Sequence, residues 1–116
     1  MWARLDDGLI DHRKVYIAGE AIGKNGAAIA IGLFAVGLMW SARHLTDGYL
    51  PRAVVKSFRH VDRPLAVAAA LTKAGLWDRN GSGWKIHDYH HWNFSAAEVK
   101  AKRARDRQRK QAARES

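Results

Sequence analysis

The amino-acid sequence predicts a mainly helical fold with one small β-hairpin, and three observations support this prediction. Residues 27–40 are apolar apart from their glycines, glycine and proline separate two shorter segments with helical apolar spacing, and aromatic residues flank a glycine-containing turn at 79–83. The 116 residues are about one domain long, and the content of 47% hydrophobic and 27% charged residues is typical of a folded globular protein.

The first 26 residues are predicted to form an N-terminal arm and a short helix. Residues 2–5 are expected to be an arm or short strand, and Asp11 is expected to cap a helix over 12–21. A central buried helix over 27–44 follows a glycine-containing break. A membrane span is the alternative for this segment, but its fourteen uninterrupted apolar residues would cover only about 21 Å of a roughly 30 Å hydrocarbon core.

Two shorter helices are predicted after the central helix. A strand at 49–50 leads to a helix over 51–58, which begins at a proline because the missing N–H costs nothing there. The side chains expected to face inward are Val54, Val55 and Phe58, and those expected to face outward are Arg52, Lys56 and Arg59. Asp62 is expected to cap the next helix, which has Pro64 in its first turn and runs to Ala74, and Gly75 is a natural C-terminal stop.

A β-hairpin is predicted next, with a five-residue turn at 79–83. Trp84, Ile86 and Asp88 are expected on one face of its second strand, and Lys85 on the other. From residue 27 onward the order is therefore helix, short strand, two helices and hairpin. This is the order of a winged helix-turn-helix, in which the third helix and the hairpin, or wing, flank a duplex.

The last predicted element is a basic C-terminal helix. Ser95 and Glu98 have the spacing of a capping box, and Phe94 and Val99 lie where a hydrophobic staple would lie. No large apolar residue follows Val99, so the helix is expected to be solvated. The chain is thus divided into an arm and short helix at 1–26, a winged-helix core at 27–94 and a basic helix or tail at 95–116.

The charge of the chain points to an anionic partner. The net charge is +9 and the sequence pI about 10.4. Residues 95–116 carry 8 Lys/Arg against 3 Asp/Glu, whereas residues 1–94 carry 12 against 8. The basic residues of the C-terminal segment are Lys100, Lys102, Arg103, Arg105, Arg107, Arg109, Lys110 and Arg114.

Eight positive charges within fifteen residues can neutralise several phosphates and give salt-sensitive binding to nucleic acid. Their side chains are expected to point around the helix rather than along one stripe. A solvated tail that keeps the protein soluble is one alternative. Membrane attachment is another, although this helix has only alanines for an apolar face.

A second basic group is predicted in the winged-helix core, close to one duplex surface. It comprises Arg52, Lys56, Arg59, His60, Arg63 and Lys73 on or between the second and third helices, with Arg79 and Lys85 in the wing. The third helix can meet thymine methyl groups through Ala66, Ala69 or Ala70, but it offers mainly Thr72 and Lys73 as polar groups, so phosphate contacts are expected to dominate affinity. An ordinary mixed surface is the alternative for this group.

Other chemistry is weakly indicated. The absence of cysteine excludes disulfides and thiolate zinc sites, and no nucleophile–base pair or phosphate-binding loop stands out, so neither catalysis nor a cofactor is expected. His87, Asp88, His90 and His91 form a cluster of candidate metal ligands. His87 and Asp88 are predicted on opposite faces of the strand, which argues against a metal site. The aromatic residues at 77–94 are expected to form a small core floor rather than a stacking platform for bases.

Three segments carry a resemblance to a known family: Met-Trp-Ala-Arg-Leu-Asp-Asp-Gly at 1–8, His-Leu-Thr-Asp-Gly-Tyr-Leu-Pro at 44–51 and Gly-Trp-Lys-Ile-His-Asp-Tyr at 83–89. They resemble phage and prophage proteins, especially of actinobacterial phages, that are described as helix-turn-helix DNA-binding proteins or replisome-organiser-like initiators. These are similar to the winged-helix N-terminal domain of DnaD-type replication proteins.

The resemblance implies a non-enzymatic DNA-binding protein of phage DNA replication, located in the bacterial cytoplasm or nucleoid. The expected partners are double-stranded DNA, with single-stranded DNA as the alternative, a second copy anchored by Trp2, and replication proteins such as a helicase loader. Two other functions stay open: a phage transcriptional regulator on the same fold, and a protein-interaction module whose tail tethers nucleic acid.

Overall fold

The structure, a computed structural model, describes residues 3–92 and 96–115, with only the backbone of residues 91 and 92. The chain is mainly helical with a small antiparallel sheet, as predicted. After a 3₁₀ helix at Asp7–Asp11, the elements are α1 (Arg13–Ile22), α2 (Gly26–His44), β1 (Tyr49–Leu50), α3 (Arg52–Ser57), α4 (Pro64–Ala74), β2 (Trp77–Asn80), β3 (Gly83–Ile86), α5 (Tyr89–Trp92) and α6 (Ala96–Glu115).

The core forms around α2. Its side chains Leu33, Phe34 and Leu38 are at most 1% exposed, and Trp77 and Ile86 of the hairpin are as deeply buried. By length and composition alone α2 could cross a membrane, a test that the core helix of a soluble protein also passes, and 44% of its most apolar window is buried. The predicted central helix is confirmed, and it is the scaffold on which the other elements pack.

The N-terminal segment differs from its prediction in two details. The side chain of His12, not that of Asp11, caps α1, with its Nδ1 accepting a hydrogen bond from the backbone N–H of Lys14 at 3.2 Å. Asp11 is instead the last residue of the 3₁₀ helix, which was not predicted. Residues 3–5 form no strand, and the predicted role of Trp2 lies outside the described residues.

Helix α4 begins and ends at residues that the sequence marks, but without the predicted side-chain cap. Pro64 is its first residue, and Gly75 ends it at a φ of +86°. The prediction that Asp62 caps it is wrong: Arg63 occupies the N-cap position at a φ of +49°, no side-chain hydrogen bond caps the helix, and the Asp62 side chain is 96% exposed. Because the N-cap position falls at Arg63, Asp62 lies one residue too early in the chain to cap the helix.

The three strands form an antiparallel sheet in the order β1-β3-β2. The predicted five-residue hairpin turn is wrong, because Asn80 pairs with Gly83 and only Gly81 and Ser82 lie between them. Gly81 takes a φ of +58°, which a two-residue turn that matches strand twist requires and glycine adopts without strain. Strand β2 therefore continues through Arg79 and Asn80, and β3 begins at Gly83 and ends at Ile86, two residues before the predicted end at Asp88.

Helix α6 is attached to the core at its first turn. The Asp47 Oδ1 atom accepts a hydrogen bond from the backbone N–H of Ala96 at 2.6 Å, and Val99 is only 3% exposed. Beyond this turn most α6 side chains are exposed, which confirms a solvated helix, and the molecule is 60 Å long but only 29 and 22 Å across. The predicted capping by Ser95 and the staple of Phe94 lie outside the described residues.

We expect Asp47→Ala to loosen this attachment. It removes the acceptor for a helix N-terminal N–H, a loss that typically costs about 1 kcal/mol. The amides of residues 96–99 should exchange hydrogen faster, and helical circular dichroism should decrease. Asp62→Ala, which changes the same charge at a fully solvated site, should leave both signals unchanged; equal effects from the two variants would contradict the attachment.

A polar network beneath the same turn makes stability depend on pH. Burial raises the pKa of Tyr89 above its ordinary value of 10.0, a hydrogen bond with Ser41 opposes this rise, and the Asp47 carboxylate adds to it. Because the folded state holds the phenol proton more tightly, the free energy of unfolding should fall as the pH rises above about 10.

Urea unfolding between about pH 9 and 11 tests this dependence. The fall should be shallower in Tyr89→Phe than in the control Tyr16→Phe, which alters a tyrosine that is 52% exposed. Identical slopes in the two variants would show that Tyr89 does not carry the effect.

Candidate nucleic-acid interface

Helix α3 presents basic side chains outward from an apolar anchor. Val55 is fully buried and Phe58 nearly so, whereas Arg52, Lys56 and Arg59 are exposed. The burial pattern therefore agrees with the predicted inward and outward faces. Between residues 48 and 77 the sequence holds five Lys/Arg and one acid, so this part of the surface is strongly positive.

Helix α4 exposes a narrow strip of small and basic residues. Ala66, Ala69 and Lys73 are exposed at helical spacing, and Arg63 precedes them at the N-cap position. Arg63 Nε lies 3.9 Å from Asp62 Oδ2 with both side chains exposed, an ion pair worth little in water. This strip can meet phosphates and thymine methyl groups, but it has few hydrogen-bonding groups for base edges.

Two groups of α4 named by sequence reasoning are less available than predicted. The Thr72 hydroxyl donates a 2.7 Å hydrogen bond to the Ala68 carbonyl of its own helix. Ala70, expected with Ala66 and Ala69 to meet thymine methyl groups, is only 7% exposed. Contact by α4 therefore depends mainly on Arg63 and Lys73.

The hairpin separates the two basic residues that were predicted to act together. Arg79 pairs across the strands with Trp84 and stacks over its ring, with Cζ 4.7 Å from the centroid. Lys85 is the next residue of β3, so it lies on the opposite face, across from Asp78. The register thus divides the hairpin charges between two surfaces.

The basic residues of α6 form two groups on opposite sides of the helix, which agrees with the prediction that they do not lie along one stripe. On a regular helix, spacings of three and four residues place side chains on one side. The larger group shares one side of α6 and consists of Lys100, Arg103, Arg107, Lys110 and Arg114. The smaller group consists of Lys102, Arg105 and Arg109, of which Arg109 pairs with Asp106.

The larger group spans about 21 Å along the helix axis. Between residues 99 and 114 the only acid is Asp106. This side of α6 therefore carries an extended and nearly uninterrupted line of positive charge. Within residues 96–115 only Val99 is buried, so the line is accessible to a ligand.

Within the histidine cluster, His87 lies close to two carboxylates. His87 and Asp88, predicted on opposite faces, lie 3.5 Å apart between Nε2 and Oδ2, because β3 ends at Ile86 and Asp88 turns out at a φ of +52°. The His87 Nδ1 atom lies 2.8 Å from Asp78 Oδ2. In the part of the chain that the structure describes, no group of three or more His, Asp or Glu residues is placed to hold a metal ion.

The aromatic side chains that the structure describes here belong to the core. Trp77, Trp84 and Tyr89 are at most 4% exposed, and the two indole rings lie 6.2 Å apart. They cannot stack on bases without unfolding, which agrees with the predicted core floor. The contributions expected from Trp92 and Phe94 lie outside the described side chains.

Sequence reasoning missed Asp47, the residue that holds the first turn of α6 against the core. Asp47 lies 49 residues before the N–H that it accepts from, and no local pattern marks such a contact.

Comparisons with protein-family models, with curated proteins and with solved structures found no match. The surface must therefore be interpreted from its own geometry and charge.

Proposed function

We propose that this protein binds DNA without catalysing a reaction, and that its core is a winged helix with α4 as the recognition helix and β2–β3 as the wing. The observation that carries the proposal is the exposed line of five basic side chains on α6. A ligand with regularly spaced negative charge complements such a line, and the phosphate backbone of nucleic acid has this property.

The order of elements supports the winged-helix part of the proposal. The elements α2, β1, α3, α4, β2 and β3 follow one another in the winged-helix order, and β3 lies between β1 and β2. In this arrangement α4 enters the major groove while α3 and the wing lie along the backbone. Arg52, Lys56 and Arg59 of the α3 segment would then face phosphates.

Affinity in this mechanism comes mainly from phosphates. The α4 strip contributes Arg63 and Lys73 next to alanines, so it supplies little base discrimination. Arg79 and Lys85 contribute from opposite faces of the wing, and only one of them can face the duplex. Duplex DNA is the expected ligand, with single-stranded DNA as the alternative, since α6 recognises charge rather than bases.

The biological role proposed for this surface is replication initiation or replisome organisation in a phage, following the family resemblance. A cytoplasmic or nucleoid location, a homodimer and a helicase-loader partner belong to that proposal. A phage transcriptional regulator on the same fold is the second candidate. A protein-interaction module is the third, and the exposed alanines at positions 66 and 69 of α4 favour it.

A paired substitution experiment tests the assignment of α3 and α4 to the DNA surface. Lys56→Gln with Lys73→Gln should weaken binding to a labelled duplex and lower the salt slope by about 2. Arg13→Gln with Lys24→Gln, equally exposed and with the same charge change, should have a much smaller effect. Equal losses would indicate attraction by net charge alone and contradict the docking geometry.

A further inference from the structure

An apolar groove lies away from α4, between the N-terminal arm, the C-terminal half of α2 and the second turn of α6. Its volume is about 630 Å³, within the range of pockets that hold ligands. Leu38 and Ala42 of α2 are buried at its floor, whereas Leu5 and Met39 are 52% and 53% exposed at its sides. The described elements leave the side chains of Leu5 and Met39 in contact with water.

The charged residues around the groove are all arginines. Arg4 comes from the arm, Arg43 from the last turn of α2 and Arg103 from α6, and no Asp or Glu is among the described residues that line the groove. The three segments are distant in the sequence and meet only in the fold. An occupant must therefore combine large apolar side chains with flanking negative charge.

We propose that this groove binds an acidic amphipathic segment of a partner protein, a helix with two or three large apolar side chains flanked by carboxylates. Apolar anchors would cover Leu5 and Met39, and the carboxylates would meet Arg43 and Arg103, as in helix-in-groove recognition. The groove shares Arg103 with the basic line of α6, but its residues on the arm and α2 lie outside the proposed DNA surface, so the inference does not depend on DNA binding.

The shape and charge of the molecule favour such a segment over two other occupants. Helix α6 continues for twelve residues beyond Arg103, about 18 Å, so the groove is recessed beside a projecting helix. A narrow segment can enter there, whereas a flat bilayer meets α6 first. A second copy of this chain carries a net charge of +9 and would bring like charge to the arginines.

The test uses the full chain and a fluorescein-labelled helical peptide with three leucines on one face and glutamates beside them. At about 150 mM salt, where exposed charges more than a Debye length of about 8 Å apart are largely screened, we expect micromolar binding by fluorescence anisotropy. Met39→Glu should weaken it about tenfold or more, while Met39→Leu should retain it. Circular dichroism of both variants checks that the fold is intact.

The electrostatic part of the proposal has a matched control. Arg43→Glu with Arg103→Glu should weaken binding of the acidic peptide. Arg13→Glu with Lys24→Glu, the same charge change elsewhere, should leave peptide binding unchanged. A peptide with serines in place of the leucines should not bind.

Three outcomes would overturn the proposal. The first is no binding of the acidic peptide, and the second is equal binding of the serine peptide or of the Met39→Glu variant. The third is that Met39→Glu instead abolishes binding to phosphatidylglycerol-containing vesicles or a dimer seen in sedimentation, which would assign the groove to a membrane or to a second copy.

Discussion

Replacing Arg107, Lys110 and Arg114 of α6 by glutamine is expected to weaken duplex binding on the order of 100-fold at about 100 mM salt and to lower the salt slope by about 2.7, because each lost phosphate contact removes about 0.9. These residues share one side of α6 and extend past the core, so they can follow a phosphate backbone without distorting the fold. Glutamine keeps the helix propensity of the segment close to that of the native residues.

The matched control removes the same charge from the other side of α6. Replacing Lys102, Arg105 and Arg109 by glutamine should have a clearly smaller effect, since Arg109 already pairs with Asp106 and this side lies away from the larger group. Fluorescence anisotropy on one labelled duplex measures both variants. Equal losses would show that α6 is contacted from all sides, as the sequence alone suggested, and would contradict a one-sided interface.

Gly26→Ala is expected to destabilise the fold by about 3 kcal/mol, near the upper end of overpacking effects. A Cβ atom on Gly26 would lie 1.9 Å from the backbone carbonyl oxygen of Gly19, where α1 and α2 cross. A backbone atom cannot rotate aside, so the two helices would have to separate. Thermal unfolding should show a midpoint lower by roughly 12 °C, because 1 kcal/mol shifts the midpoint by about 4 °C in a chain slightly longer than 100 residues.

Gly32→Ala on the same helix is the control for this effect. The nearest atom to a Cβ there is Val61 Cγ2 at 3.8 Å, an ordinary contact. Removing a glycine from a helix interior should therefore stabilise the protein by about 0.5–1 kcal/mol. If Gly26→Ala were as stable as the native protein, the close crossing of α1 and α2 would be wrong.

Local chemistry made much of the fold predictable. A helix often ends at a residue in the left-handed conformation, which glycine adopts without strain, and this predicts the end of α4 at Gly75. Gly75 ends α4 at a φ of +86°. Residues 26–44 form the central helix because such a long apolar segment is stable only where it is shielded from water, here in the protein core. The predicted outward residues of α3 and the exposure of α6 follow from the same separation of apolar and charged positions.

Features set by distant contacts or by register were not predictable. Shortening the hairpin turn to Gly81 and Ser82 fixes which residues pair, and this pairing sends Arg79 over Trp84 and Lys85 to the other face. The segment holds two overlapping signals for a two-residue turn, Asn80-Gly81 and Gly81-Ser82, and they imply different registers, so the local pattern leaves the pairing open. The groove lined by arginines likewise depends on three segments that meet only after folding.

The proposed function requires that the full chain bind DNA through phosphate contacts, and a salt titration measures these contacts. A fluorescein-labelled duplex is titrated with the protein at several salt concentrations, and fluorescence anisotropy is measured. We expect sub-micromolar affinity at low salt that falls steeply and linearly on a logarithmic salt axis. No binding at about 50 mM salt, where phosphate contacts are strongest, would contradict the DNA-binding function.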